Sequence, residues 1–154
     1  MKVLQVNNLS RYQKQFARDV WNNEYPQTLF HRTDDTFDAY LNSLDDVNHY
    51  FIEIDNVTVG WFMDFVRQGD KWFAVIIDRA SHGKGLGQRV LQYLKTHNSC
   101  LYGWVIAEDS SYERTDGSPY LSPLAFYLNH GFEICEGETL VTDKINAVKV
   151  VWHR

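Results

Sequence analysis

The sequence predicts an α+β fold of the α/β/α type, in which about four helices flank a mixed, largely antiparallel central sheet of about seven strands. Two observations indicate this class. Strand-type and helix-type apolar spacing alternate along the chain, and the middle of the chain contains three successive strand patterns joined by tight-turn signals. With 154 residues, 44% of them hydrophobic, the chain can bury one core, and we expect a single domain over residues 1–154.

The first third of the chain predicts one strand and two helices. Apolar and polar residues alternate over residues 2–7, which favours a strand. The first helix has apolar residues at positions 9, 12, 16 and 20, with Asn8 or Ser10 as its cap. The second helix has apolar residues at positions 37, 40, 41 and 44, and Thr36 precedes it in the capping position.

The middle of the chain predicts three adjacent antiparallel strands. Residues 49–54 and 57–65 are β-branched and aromatic, and the pair Asp55-Asn56 between them is a two-residue hairpin signal. A second turn follows at residues 68–70. Residues 72–77 are apolar without alternation, as expected of a strand that is covered on both faces.

The remaining elements complete the order β-α-α-β-β-β-α-β-α-β-β. Helical spacing returns at positions 86, 90, 91 and 94, and residues 101–107 predict a strand. Ser122 as cap and Pro123 as first helical residue open a short helix that Gly131 closes. Strands at 132–135 and 147–152 end the chain.

Composition excludes several classes of protein. The formal net charge of -5 argues against a nonspecific nucleic-acid binder, which needs a basic face. The longest apolar runs are too short to span a membrane and the start of the chain is not a signal peptide, so we expect a cytoplasmic protein without membrane contact. Cys100 and Cys135 lack C-x-x-C spacing, which predicts reduced thiols. The histidines lack metal-site spacing, and no metal is predicted.

A glycine-rich loop is the most informative segment. Gly83, Gly85 and Gly87 lie directly after a predicted buried strand and at the start of a helix. Bare backbone N–H groups and a helix N-terminus suit a pyrophosphate. The spacing G-x-G-x-G fits neither the dinucleotide fingerprint G-x-G-x-x-G nor the Walker pattern G-x-x-x-x-G-K-[ST], so both are rejected.

This loop resembles the acetyl-CoA-binding signature [QR]-x-x-G-x-[GA] of the GNAT family of N-acetyltransferases. Gly85 and Gly87 match both glycine positions, and His82 stands where the family has Arg or Gln. Residues 125–132 resemble a second family segment, in which a Tyr, here Tyr127, precedes Gly-Phe by four residues. The family often has Asn seven residues before that Tyr, where this chain has Tyr120.

The resemblance implies a fold, a co-substrate and site residues. Acetyl-CoA would be held by the loop residues His82, Gly83, Lys84, Gly85, Leu86, Gly87 and Gln88, with its pantetheine arm paired to the backbone of Ile76 and Ile77. A β-bulge would splay this strand from the next one. The acetyl group would pass directly to a primary amine in a ternary complex, and Tyr127 would protonate the departing thiolate.

The general base and the acceptor are less determined by the sequence. Glu108, at the end of the predicted strand 101–107, is the first candidate for the base, while Asp64, Glu53 and an ordered water remain alternatives. Acidic residues precede the last helix at positions 108, 109, 113 and 116. If these residues lie at the entrance of the acceptor site, their negative charge would attract a small cationic amine as the partner molecule.

Two other functions remain open. A noncatalytic acyl-CoA-binding sensor would keep the fold without the chemistry, although a pure binder needs no proton donor such as Tyr127. A protein or peptide Nα-acetyltransferase would differ in its acceptor and would need an open groove. The sequence leaves the physiological acyl chain and the oligomeric state open, with a homodimer as one alternative.

Overall fold

The computed structural model describes residues 1–107 and 111–154. Their secondary structure comprises strands β1 (Lys2–Val6), β2 (Asp45–Ile54), β3 (Val57–Arg67), β4 (Asp70–Ile77), β5 (Cys100–Ile106), β6 (Glu133–Val141) and β7 (Asn146–His153). The helices are α1 (Arg11–Glu24), α2 (Asp34–Asn42), α3 (Leu86–His97) and α4 (Leu124–Asn129), with short 3₁₀ turns at Gln27–Leu29 and Arg79–Ser81. The predicted order of strands and helices is confirmed.

The described strands form one sheet in the order β1-β2-β3-β4-β5-β7-β6. All neighbours are antiparallel except β4 and β5, which run parallel. The predicted fold class, a largely antiparallel seven-stranded sheet flanked by helices, is therefore confirmed. The three strands predicted in the middle of the chain are adjacent, and Asp55 and Asn56 both adopt positive φ in the hairpin between β2 and β3.

Each face of the sheet carries its own apolar core. Phe62, Phe73 and Val105 pack under α3 and α4, whereas Trp61, Trp72 and their neighbours pack under α1 and α2. Alternate residues of a strand point to opposite faces, so the continuous apolar runs in β3 and β4 supply both cores. For β4, this confirms the prediction that residues 72–77 form a strand that is covered on both faces.

Several element ends differ from the prediction for local reasons. Ser10 caps α1 through a capping box with Gln13, which selects one of the two predicted candidates. Helix α2 begins earlier than expected, because the Thr33 hydroxyl and not Thr36 occupies the cap and accepts a hydrogen bond from the Thr36 N–H. Helix α4 begins one residue late, at Leu124. Strand β6 also extends beyond the predicted residues 132–135, because it continues in pairing with β7 up to Val141.

The sheet opens between β4 and β5. Their only register pair is Trp72 with Tyr102, near the start of both strands, so the strands diverge toward their carboxyl ends. The predicted β-bulge in β4 is wrong for its pairing with β3, since the register runs unbroken from Gly60–Ile77 to Arg67–Asp70. The divergence therefore follows from the end of β4–β5 pairing and not from an inserted residue.

Within the described part of the chain, no helix has the length and apolar character needed to cross a membrane.

Candidate active site

Two cavities lie at the divergence of β4 and β5. The first, which we call the loop cavity, has a volume of about 550 Å³ and is lined by the end of β4, the glycine loop, the first turn of α3, and α4. The second, the aromatic cavity, has a volume of about 800 Å³ and lies among α1, α2, the strands β4 and β5, and the turn between β6 and β7. Two different molecules would therefore find separate spaces beside the same opening of the sheet.

The two cavities adjoin at a small group of side chains. The residues that line both are Tyr25, Val75, Tyr120, Pro123 and Tyr127. Three of them are tyrosines, which come from the end of α1, from the segment before α4 and from α4 itself. Reacting groups that enter from opposite sides would therefore meet beside phenol hydroxyls.

The glycine loop presents bare backbone to the loop cavity. Gly83 and Gly85 have φ of 77° and 73°, and a Cβ on either would meet nothing within 4 Å. Gly85 is also the N-cap residue of α3. Because glycine has no side chain, no side-chain capping bond occupies the first N–H groups of this helix. Positive φ and free N–H groups at a helix N-terminus together suit a phosphate.

Gly87 is required for a different reason. A Cβ at this position would lie 2.9 Å from Cζ of Phe126, so any larger residue would push against the ring. The glycine allows the first turn of α3 to pack closely against α4. Gly87, which the family resemblance assigns to cofactor contact, thus also sets the distance between α3 and α4, the two helices that border the loop cavity.

His82 joins the loop to the end of β4. Its Nε2 atom lies 2.7 Å from the Ile77 carbonyl oxygen, so the imidazole N–H donates to that backbone group. Asp78 fixes the start of the same loop, because its side chain accepts from the Ala80 N–H at 3.0 Å and its own N–H donates to the Val59 carbonyl at 2.9 Å. Side chain and backbone together hold the loop in one position relative to the sheet.

The free backbone groups of β4 belong to alternate residues. The Asp78 N–H donates to the Val59 carbonyl of β3, and in an antiparallel pair every second residue bonds to the same neighbouring strand. The backbone N–H and C=O of Ile76 therefore point to Trp61 of β3. The N–H groups of Val75 and Ile77 and the Val75 carbonyl point the other way, toward the opening beside β5, while the Ile77 carbonyl already accepts from His82. This geometry favours Val75 and Ile77 as the groups for an added extended ligand, in place of the predicted pair Ile76 and Ile77.

The tyrosines at the junction are held in their neutral form. Tyr127 is 8% exposed, and burial, with a smaller effect of Tyr120, raises the pKa of its phenol well above the ordinary value of about 10. Burial also raises the pKa of Tyr25, and raises that of Tyr120 to about 12. Each hydroxyl is therefore a proton donor throughout the neutral pH range.

Arg79 supports the site from outside the two cavities, and no pattern in the sequence predicted this role. Its guanidinium pairs with Glu24 of α1 at 3.3 Å and with Asp116 at 3.0 Å, and it also donates to the Asn23 carbonyl. These contacts tie the end of α1 and the segment before α4 to the glycine loop. No short-range pattern connects positions 24, 79 and 116, so only the tertiary structure shows this link.

The rival candidates for the general base do not reach the cavities. The buried Asp64 carboxylate is paired with Lys71 at 3.0 Å and accepts from Tyr50 and Asn48, each at 2.9 Å. Glu53 pairs with Lys2 on the neighbouring strand β1. Neither lines either cavity. Glu108 lies outside the described residues, so its role as base stays a prediction.

The other predicted residues divide into two groups. The lining of the loop cavity includes His82, Gly83, Gly85, Leu86, Gly87 and Gln88, whereas Lys84 is exposed and is not part of it. Of the acidic residues expected at the acceptor mouth, Asp109 also lies outside the described residues. Glu113 is exposed and Asp116 is paired with Arg79, and neither lines the aromatic cavity.

Comparisons with solved structures identify the fold. An aminoglycoside 6'-N-acetyltransferase in complex with coenzyme A is 12% identical, with a TM-score of 0.73 over 99% of this chain and 97% of that one. A protein from Bacteroides thetaiotaomicron assigned to the GNAT acetyltransferase family is 14% identical, with a TM-score of 0.72 over 100% of this chain and 88% of that one. A ribosomal-protein-alanine N-acetyltransferase from Brucella melitensis is 13% identical, with a TM-score of 0.70 over the whole of both chains.

These likenesses confirm that the chain has the GNAT fold. No protein-family model and no curated protein sequence matches it.

Proposed function

We propose that this chain, which has the GNAT fold, transfers an acetyl group from acetyl-CoA to a primary amine. One observation carries the proposal: a phosphate-suited loop cavity and a separate aromatic cavity adjoin at Tyr25, Tyr120 and Tyr127. Acetyl-CoA occupies the loop cavity with its pyrophosphate on the N–H groups of Gly83 to Gly87. The amine occupies the aromatic cavity and meets the thioester at the junction.

The junction supplies the chemistry of direct transfer. The amine nitrogen attacks the thioester carbonyl carbon, a C–N bond forms, and the C–S bond breaks. The nitrogen gives up a proton to a base, for which Glu108 or an ordered water is proposed, and the sulfur takes a proton from the Tyr127 hydroxyl. The N–H groups of Val75 and Ile77 hold the extended arm of the co-substrate along β4. Tyr127 afterwards regains its proton from solvent or from the protonated base.

The two cavities favour an acetyltransferase of small amines over the two alternatives. A noncatalytic sensor needs the loop cavity but has no use for a second cavity that shares three phenol groups with it. A protein Nα-acetyltransferase needs a groove that an extended chain can cross. Here two loop segments help to enclose the aromatic cavity. The β6–β7 turn contributes Lys144 and Ile145, and the segment between α1 and α2 contributes Phe30 and His31. This lining favours a small amine. The single-domain organisation, a cytoplasmic location and a homodimer stay predictions.

A panel of primary amines incubated with acetyl-CoA tests the proposal. Release of the free thiol gives the rate, and mass spectrometry of the amine checks that the acetyl group has been transferred and not hydrolysed. We expect amine-dependent thiol release with a matching N-acetyl product. Tight binding of acetyl-CoA without an acetylated product for any amine would contradict the enzyme and support the sensor.

A further inference from the structure

We propose that the amine acceptor carries a carboxylate, which Arg32, Arg67 and Lys144 bind in the aromatic cavity. The inference rests on the proposed acetyl transfer and names the substrate class for it. It replaces the expectation of a cationic amine, whose remaining support is Glu108 and Asp109, outside the described residues.

The charge of the described cavity wall is opposite to that of the whole chain. The protein has 20 acidic against 15 basic residues, yet the described lining of the aromatic cavity contains three cationic side chains and no Asp or Glu. A wall of one sign attracts a ligand group of the other sign and repels a second ammonium group. The average composition of a chain with more acidic than basic residues therefore does not account for a lining with cations alone.

Among the described residues, these three cations have no carboxylate partner. The ion pairs found there involve other cations, such as Arg18, Lys71, Arg79 and Lys149, and none involves Arg32, Arg67 or Lys144. Arg67 is half-buried, with its guanidinium 4.8 Å from the ring of Trp72 and 5.2 Å from that of Phe65. A partly desolvated guanidinium that is held by rings and not by a carboxylate can accept an anionic ligand.

The cations come from separate parts of the chain and converge on one space. Arg32 precedes α2, Arg67 ends β3 and Lys144 lies in the turn between β6 and β7. Lys144, from the β6–β7 turn, and His31, from the segment before α2, line the same cavity of about 800 Å³. The cations therefore line one shared space, although they are far apart in the sequence.

The donors and rings of this cavity suit a carboxylate on an apolar frame. Guanidinium and ammonium groups donate hydrogen bonds only, and the planar guanidinium fits both oxygens of a carboxylate. Trp72, which is 5% exposed, lines the same cavity and packs against the Arg67 guanidinium. The surrounding rings, which include Trp104 and Phe65, suit an apolar or aromatic frame between the carboxylate and the amine.

Three amines with one frame test the proposal: 4-(aminomethyl)benzoate, its neutral carboxamide, and p-xylylenediamine, which places a second ammonium at the same position. We expect kcat/KM from thiol release to be about tenfold higher for the carboxylate than for the carboxamide, and lowest for the diamine. Equal values for the three, or the highest value for the diamine, would overturn the proposal.

Single variants locate the effect. Arg67→Met and Lys144→Met remove one charge each and should raise KM for the carboxylate by about tenfold while leaving the carboxamide nearly unchanged. Lys2→Met, at an exposed ion pair on β1, is the matched control. A carboxylate preference that survives both Arg67→Met and Lys144→Met would assign the binding to other groups and contradict the proposal.

Calorimetry separates this proposal from the proposed function. If no amine is acetylated, the benzoate is titrated into the protein in the presence of CoA. Binding that Arg67→Met weakens supports the carboxylate site while acetyl transfer fails, whereas no binding overturns the carboxylate site as well.

Discussion

The imidazole of His82 donates from Nε2 to the carbonyl oxygen of Ile77 at 2.7 Å, and this bond ties the glycine loop to the end of β4. The side chain therefore has a positioning role that a neutral donor of similar reach can fill. We expect His82→Gln to bind acetyl-CoA within about threefold of the wild-type Kd, and His82→Leu to bind about tenfold more weakly, since one hydrogen bond is lost. Calorimetry with acetyl-CoA measures both.

A second readout tests the same residue for chemistry. If His82 moved a proton, kcat would collapse in His82→Gln while the affinity for acetyl-CoA stayed unchanged. That result would contradict the positioning role.

The backbone of Gly85 is predicted to contact the pyrophosphate. Gly85→Asp places a carboxylate in the open space beside the loop, and the negative charge should weaken acetyl-CoA binding by about tenfold or more. Gly69→Asp is the matched control, because Gly69 also has positive φ, 81°, and open space around a Cβ, but lies in the β3–β4 turn. Equal calorimetric affinity for the two variants would remove the loop from cofactor binding.

The sequence predicted the features that depend on local patterns. Apolar spacing gave the order of elements, the pair Asp55-Asn56 gave a hairpin, and the glycine spacing located a loop whose open backbone the structure describes. The prediction that Thr36 caps α2 was wrong, because Thr33, three residues earlier, caps the helix and Thr36 lies in its first turn.

The features that the sequence missed depend on residues brought together only by the fold. Arg79 lies 55 positions from Glu24, and no spacing rule links them. The cationic acceptor that the acidic run before α4 suggested stays a prediction, since Glu108 and Asp109 lie outside the described residues. Asp116 of the same run pairs with Arg79, and cations from three distant elements line the aromatic cavity, which no local pattern showed.

The buried His49 is expected to make stability depend on pH. Burial lowers its pKa to about 4, and its Nδ1 accepts the indole N–H of Trp61 at 3.3 Å, so the folded protein keeps it neutral. As the pH falls from about 7 to about 5, the unfolded chain takes up a proton near its ordinary pKa of about 6.5 while the folded chain does not. The free energy of unfolding should therefore fall, by about 2 kcal/mol from this group.

Urea unfolding of wild type and His49→Gln at the two pH values measures this contribution. The variant has a lower starting stability, but its loss on acidification should be smaller than that of the wild type by about 2 kcal/mol. The same change at the exposed His153 should leave the wild-type loss unaltered. An equal loss in wild type and His49→Gln would show that His49 is protonated in the folded protein.

Tyr127 gives the sharpest test of the chemistry. Tyr127→Phe removes one hydroxyl and keeps the ring, which packs against Phe73 at 5.6 Å and Phe132 at 5.5 Å between ring centroids. Stability and acetyl-CoA affinity should therefore change little. If the hydroxyl protonates the departing thiolate, kcat at saturating acetyl-CoA should fall by about 10²–10⁴-fold, the range for a general acid.

The same substitution at the other two junction tyrosines supplies the matched controls. Tyr25 and Tyr120 line both cavities as Tyr127 does, and burial raises the pKa of each phenol, so all three hydroxyls are protonated at neutral pH. Because only one of them can lie on the sulfur, Tyr25→Phe and Tyr120→Phe should act mainly on KM for the amine. A large drop in kcat for Tyr120→Phe with wild-type turnover for Tyr127→Phe would transfer the proton-donor role to Tyr120. That outcome would leave the two-cavity assignment intact and show that the position match with the family does not identify the acid.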